Sequence, residues 1–432
     1  MNAKQRDMTE QSARSSPMGM RRTLTLTSVA ALLACLSGCG HDDYYYVAPG
    51  GSSGPGGNVG YTPNSVAIAD VNGDGVPDLL VATTVDQGQN QNPGFAGVYL
   101  GVTTTPGTYQ AGVQYPITGT NPSGIVVVDL ANAGSKDIVV SNFGNGTASV
   151  FMHSTTPGSF LAATTLTTGG QPNQVVSADI NGDGFPDLVF ADMNGNAIVM
   201  LQNASSPGQF EAPLNLATGG QTASVAIADV NGDGKPDIVA TVFDSNGNNG
   251  QVMVFLQSAT TPGTFAAGVA YPAGAQPEAV RVADVNGDGL PDLIVANQGP
   301  GTDGSGTPGV SVLLQNSATA GTFLAPVTYP TPWGPVDVAV GDLNGDGKPD
   351  LVVASLGPDP TGAVSVLLQG TTAGTFNPAT VFQGYGEPLS VAIADLNGDG
   401  HPDIAVADGY NATVMLQSAT SPGTFTGPTP VN

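Results

Sequence analysis

One nine-residue motif recurs so often along this chain that few architectures can accommodate it. Asp70-Val71-Asn72-Gly73-Asp74-Gly75-Val76-Pro77-Asp78 reappears as DINGDGFPD from Asp179, DVNGDGKPD from Asp229, DVNGDGLPD from Asp284, DLNGDGKPD from Asp342 and DLNGDGHPD from Asp395. A degenerate copy, DLANAGSKD, starts at Asp129. The starting aspartates lie 59, 50, 50, 55, 58 and 53 positions apart, so the chain holds seven units of unequal length. Repeats of this size are supersecondary units that bury their apolar faces only against one another.

A second landmark shows where the length varies. Each unit carries Gly-x-aromatic, ending at Tyr109, Phe160, Phe210, Phe265, Phe323, Phe376 and Phe425, and the next starting aspartate follows 20 residues later once and 19 in the other five cases. The variation therefore falls between the Asp motif and the aromatic, in Gly- and Asn-rich stretches such as 84–97, 243–250 and 298–309. Extra length there reads as surface-loop insertion, which costs little closure entropy. Between the landmarks lie short apolar runs: Ser65–Ala69 before the first motif, Asp78–Ala82 after it, then Gly97–Leu100 and Tyr109–Tyr115. With 61 Gly and 34 Pro, helical architecture is nearly excluded, whereas strands between tight turns are favoured. Four short strands in each of seven units predict an all-β fold, a seven-bladed β-propeller with four-stranded blades, over residues 58–432. A β-helix or a pair of sandwiches does not call for four strands per unit.

Each complete motif places side-chain oxygens at positions 1, 3, 5 and 9, with Gly at 4 and 6 for the turn. Calcium takes six to eight hard oxygen ligands, and a backbone carbonyl at position 7 adds one more. The predicted ligand sets are Asp70, Asn72, Asp74, Val76 and Asp78; Asp179, Asn181, Asp183, Phe185 and Asp187; Asp229, Asn231, Asp233, Lys235 and Asp237; Asp284, Asn286, Asp288, Leu290 and Asp292; Asp342, Asn344, Asp346, Lys348 and Asp350; and Asp395, Asn397, Asp399, His401 and Asp403. The motif begins like an EF-hand loop but closes with Asp at 9 and lacks flanking helical periodicity. A hairpin turn needs only one such residue, and three carboxylates within nine positions repel one another unless a cation joins them. About six calcium ions are expected, with the second unit empty or weak because Ala131 and Ala133 stand at positions 3 and 5.

On these residues the chain resembles the FG-GAP or VCBS-type repeats, the calcium-bearing blades of the integrin α-subunit propeller and of many bacterial surface proteins. The resemblance covers about residues 58 to 432. Gly-x-Phe corresponds only loosely to the Phe-Gly and Gly-Ala-Pro signatures of integrins, so it carries no integrin-like ligand choice.

The first 38 residues read as a lipoprotein signal peptide: Arg21-Arg22, an apolar stretch from Leu24 to Leu36, then Leu36-Ser37-Gly38-Cys39, which resembles the bacterial lipobox. On that resemblance Cys39 is the lipidated first residue of the mature chain, and Gly40 rather than Asp points to an outer-membrane or cell-surface location. Residues 39–57 form a Gly/Ser-rich tether. Cys35 leaves with the signal, so no disulfide framework remains. The net charge of −25 becomes −28 once the five basic and two acidic residues of the signal are gone, and such a surface repels nucleic acid.

Eight positions before the starting aspartates stand Thr62, Asn121, Gln171, Gln221, Gln276, Gly334 and Glu387, with Trp333 beside Gly334. They are expected at the face opposite the Asp motifs. Asn121, Gln171, Gln221, Gln276, Glu387 and Trp333 form a candidate ligand-binding ring, since amides and an exposed aromatic suit a sugar. The same residues serve as ordinary polar turn residues, and the sequence leaves both readings open. No catalytic residue is identified: no Gly-x-Ser-x-Gly elbow, His-Glu-x-x-His helix or phosphate loop occurs. The expectation is a monomeric, lipid-anchored calcium propeller, a non-catalytic adhesion-type module for a protein or glycan. The alternative is a calcium-dependent polysaccharide lyase or another carbohydrate-active enzyme on the same fold.

Overall fold

A computed structural model describes residues 60–431, apart from 89–90, 249, 300–305 and 358–361. The signal, the tether and Cys39 lie outside the described residues. Seven four-stranded sheets follow one another along the chain, each an antiparallel meander in sequence order. The blades span 60–116, 122–167, 172–217, 225–272, 277–330, 334–385 and 390–430. In the first blade the strands are Gly60–Ala69, Asp78–Asp86, Gly94–Tyr99 and Val113–Pro116. The predicted all-β propeller of seven four-stranded blades is the fold.

Burial grades outward as the sequence pattern implies. The second and third strands are buried almost throughout, as in Asp187–Asp192 and Gly362–Leu367. Inner strands such as Pro172–Ala178 are half-buried beside a central channel, and outer strands such as Val269–Pro272 are mostly exposed. Small and β-branched residues dominate the inner strands because seven of them converge there.

Seven apolar clusters fill the spaces between blades. Val71, Leu80, Ala82 and Val98 of the first blade pack on Ile125, Ile138, Val140 and Phe151 of the second, and equivalent clusters join each later pair. The seventh cluster joins Leu396, Ala405, Ala407 and Val414 of the last blade to Val66, Leu79 and Val81 of the first. Among the described residues the ring is therefore closed by packing between contiguous blades, with no strand exchanged between the first and last of them.

One element sits later than its sequence reading. The Gly-x-aromatic residue does not begin the fourth strand: Tyr109 makes an isolated bridge to Gly101, and the strand starts at Val113. All seven aromatics make this bridge, to Gly101, His153, Gln202, Gln257, Gln315, Gln369 and Gln417. The aromatic is thus a plug rather than a strand residue. Phe160, Phe323 and Phe376 are buried edge-on against Tyr115, Tyr271 and Tyr329 of the preceding blade, with ring centroids 5.5, 5.4 and 5.3 Å apart.

Candidate metal centre

The Asp motif forms the turn between the first and second strands of every blade, which puts all seven motifs at one end of the ring. Its geometry repeats closely. In the first blade the Asp70 carboxylate accepts N–H from Gly73 at 2.7 Å and from Gly75 at 2.9 Å. Asn72 Oδ1 accepts the Asp74 N–H at 2.8 Å, and Asp74 Oδ1 accepts the Val76 N–H at 2.9 Å. Gly73 and Gly75 have φ of 76° and 84°, left-handed values that L side chains avoid, and this explains the fixed glycines at positions 4 and 6.

Position 9 differs from the others. Asp78, Asp187, Asp237, Asp292, Asp350 and Asp403 are fully buried, and each carboxylate is gripped from both sides. Asp187 Oδ2 accepts the Ile180 N–H at 2.8 Å while Oδ1 accepts the Gln202 N–H at 2.6 Å. The degenerate motif keeps this arrangement, with Asp137 accepting from Leu130 at 2.9 Å and His153 at 2.8 Å. The last aspartate therefore ties the motif to the end of the third strand whether or not positions 3 and 5 can bind anything. Burial pushes Asp78, Asp187, Asp237, Asp292 and Asp403 up to about 6; the backbone donors oppose this, and neighbouring motif carboxylates such as Asp70 and Asp74 add to it.

Among the described residues no three His, Cys, Asp or Glu side chains converge closely enough to hold an ion as they stand. The motif carboxylates are occupied by loop N–H groups, while those at positions 1 and 5 remain at the surface. The donor set nonetheless suits a hard cation: every side chain is a carboxylate or amide oxygen, and a cation between positions 1, 5 and 9 would offset the repulsion that helps raise the buried carboxyl. Asp129 has no such company, since Ala131 and Ala133 supply no oxygen. Its carboxylate accepts the Ala133 and Gly134 N–H groups at 2.9 and 2.6 Å, much as Asp70 accepts those of Gly73 and Gly75.

A glutamine that sequence reading missed locks this end of the molecule. Gln202, Gln257, Gln315, Gln369 and Gln417 each donate Nε2 to the carbonyl of the motif proline, for example Gln315 to Pro291 at 2.8 Å. Gln369 also reaches Val285 O of the preceding blade at 2.8 Å. The recurring Leu-Gln pair eight or seven residues before each of these aromatics was the available signal. The Gly of Gly-x-aromatic leans on the preceding motif: a Cβ on Gly374 would lie 3.1 Å from Asn286 Cβ. Each Asp motif is thus buttressed by the next blade.

At the opposite end stand the residues eight positions before each motif. Their backbones are paired to the ends of the second strands: Asn121, Gln171, Gln221 and Gln276 carbonyls accept N–H from Phe143, Met193, Phe243 and Gln298 at 2.9, 3.1, 3.1 and 2.9 Å. Asn121 and Glu387 are buried, Gln171, Gln221 and Gln276 half-buried. Asn121 and Gln276 take left-handed φ of 52° and 51°, as turn residues do. Trp333, read from the sequence as exposed, is half-buried.

Comparison with known proteins decides the lineage. A model of the FG-GAP-like repeat matches residues 129–190, 179–240, 241–295, 285–353 and 350–406, and a model of the FG-GAP repeat matches 62–98. The chain belongs to the FG-GAP-like repeat family. No curated protein matches it. Among solved structures it resembles proteins assigned as 6-phosphogluconolactonases from Bacteroides uniformis (TM-score 0.55, 16% identity, covering 80% of this chain and 94% of that one) and Bacteroides fragilis (0.56, 16%, 83% and 96%). A protein from Lactobacillus plantarum follows at TM-score 0.50 and 15% identity, covering 76% of this chain and 86% of that one. At such identities these FG-GAP blades share only the propeller fold with them.

Proposed function

We propose that this FG-GAP propeller is exported, anchored to the cell envelope through a lipid on Cys39, loaded with calcium at six of its seven motifs, and used as a non-catalytic module that binds a protein or glycan. The observation that carries the reading is the repeated motif geometry: surface oxygens at positions 1, 3 and 5 beside a buried carboxylate whose ionisation a cation would favour. Asp70, Asn72, Asp74 and Asp78, with the carbonyl of Val76, and their counterparts in five other blades would hold the ions. Calcium there would supply charge neutralisation and rigidity rather than chemistry. We assign the partner to the end opposite the motifs because loop length varies there and Trp333 lies there.

The test has two arms. Melting the full chain with calcium and with EDTA should show a lower Tm in EDTA, because a ligand held only by the native state stabilises it by about 2.7 kcal/mol per site at 100 times its Kd. An unchanged Tm would dismiss calcium. A glycan array and a pull-down from envelope extract, both in calcium, then address the partner, and Trp333→Ala should weaken any sugar signal.

A further inference from the structure

Two buried glutamines each touch two motifs at once. Gln257, just past the third strand of the fourth blade, donates Nε2 to Pro236 O, position 8 of its own motif, at 2.7 Å. The same Nε2 donates to Ile180 O, position 2 of the preceding motif, at 3.0 Å. Its backbone N–H donates to Asp237 Oδ1, the closing carboxylate at position 9, at 2.7 Å. Its Oε1 accepts the Gly263 N–H at 3.1 Å. That glycine lies over position 3 of the preceding motif, since a Cβ on it would stand 3.6 Å from Asn181 Cβ. One residue thus holds positions 8 and 9 of the Asp229 motif and positions 2 and 3 of the Asp179 motif. Gln369 repeats the bridge at the later pair, donating Nε2 to Pro349 O at 3.0 Å and to Val285 O at 2.8 Å, and its N–H to Asp350 Oδ1 at 2.7 Å.

The seam between these two pairs is built differently. Gln315, at the same place in the fifth blade, donates Nε2 to Pro291 O at 2.8 Å and, among the described residues, to no carbonyl of the Asp229 motif. Gly321 still lies over Asn231, where a Cβ would stand 3.2 Å from Asn231 Cβ. The glycine contact is therefore common to these seams, whereas the amide bridge is not. Gln257 and Gln369 are buried, so water does not replace their bonds, and freeing either carbonyl would leave a buried acceptor unpaired. A planar amide with two fixed N–H directions passes a displacement of one motif to the other.

We propose that four of the six cations load as two linked pairs. An ion at the Asp179 motif raises the affinity of the Asp229 motif, and an ion at the Asp284 motif raises that of the Asp342 motif, with the glutamine amide as the link. This rests on the calcium reading above and adds a coupling between its sites. Ordering the loop around the first ion fixes the amide and with it part of the neighbouring motif, so the second ion has less left to order. Linkage makes the effect reciprocal within each pair. Repulsion between neighbouring ions opposes it, but acts at every seam, so the amide's contribution is the difference between seams.

The experiment is hydrogen exchange of the full chain, read by mass spectrometry across a calcium titration, which gives a separate midpoint for the peptide covering each motif. Asp183→Ala and Asp288→Ala each disable one motif by copying Ala133 of the degenerate one. Asp183→Ala should raise the midpoint at 229–237 about fivefold or more. Asp288→Ala should do the same at 342–350 and move 229–237 by less. Equal shifts at 229–237 in the two variants, or none at 229–237 and 342–350, would overturn the coupling while leaving calcium binding in place. Parent motifs that gain no protection with calcium would instead dismiss the calcium reading, and the coupling with it. If either variant melts below the parent, Gln257→Met decides the matter, since it removes the amide and keeps the side-chain length. The midpoints at 179–187 and 229–237 should then rise together while 284–292 stays, and an unchanged pair would overturn the proposal.

Discussion

The closing aspartate of each motif anchors the backbone and, in the six complete motifs, is also the proposed metal ligand; the degenerate motif offers the anchor alone. Asp137 holds both of its backbone donors although positions 3 and 5 are alanine. Asp137→Asn would put an amide NH2 against a backbone N–H in a buried site, at a cost of about 1–3 kcal/mol. Chemical denaturation should show this loss equally in calcium and in EDTA, whereas Asp187→Asn should cost more in calcium than in EDTA. Equal losses for the two variants in calcium would reduce the motif to a turn. The buried carboxyls also set a pH dependence for the calcium-free chain. Asp78, Asp187, Asp237, Asp292 and Asp403 ionise at about 6 in the fold against an ordinary 3.8, so the fold holds protons that the unfolded chain has lost. Their stabilisation is complete below 3.8 and disappears as pH rises through about 6. In EDTA and about 1 M salt, which screens general repulsion between surface charges, calorimetry should find Tm falling across that window; a flat profile would contradict the raised values. The oxygens at positions 1, 3, 5 and 9 were legible in the sequence, but the anchoring was not, because its partners Gln202 and His153 lie beyond another strand.

At the scale of the element, the unit of this fold is a motif turn clamped by the next blade's Gly-x-aromatic loop. Gly374, at φ 70°, packs against Asn286 and Leu314 of the preceding blade, while Gly398, at φ 72°, has nothing within 4 Å of a built Cβ. Gly398→Ala therefore meets only the left-handed strain of about 1–2 kcal/mol. Gly374→Ala adds a contact that must push on Asn286, so its loss of stability should be larger, and it should lower calcium affinity at the fifth motif. Urea denaturation and calcium titration of the two variants check the order; a smaller loss for Gly374→Ala would show that the clamp yields freely. The four-strand rhythm was readable because alternating apolar runs sat between fixed landmarks. The aromatic was misplaced into the fourth strand because Phe and Tyr have high strand preference, and only the bridge to the residue after the third strand shows that it plugs the seam instead. The glutamine ladder went unread for a related reason: a polar residue after an apolar run looks like the start of a solvated loop, yet Gln369 is buried and spans two blades.

For the whole molecule, the consequential feature is how the ring closes. Propeller geometry leaves the first and last blades to find each other after the chain is complete, and here they do so with the same apolar packing that joins every other pair. One bond at the channel repeats the pattern: Ser390 Oγ accepts the Val66 N–H at 3.4 Å across the closing seam, as Ser224 Oγ accepts the Val280 N–H at 3.1 Å between the fourth and fifth blades. If the seam is one interface among seven equivalent ones, the position of the chain ends is arbitrary. A circular permutant that starts at Thr118, between the first two blades, and joins residue 431 to residue 60 through a Gly/Ser linker as long as the 117–121 connection should fold to the same ring. Its Tm should stay within a few degrees of the parent's, because the interfaces lost and gained are of one kind. A permutant that fails to fold, or that melts in two steps while the parent melts in one, would show that the natural seam contributes order that the other six interfaces lack.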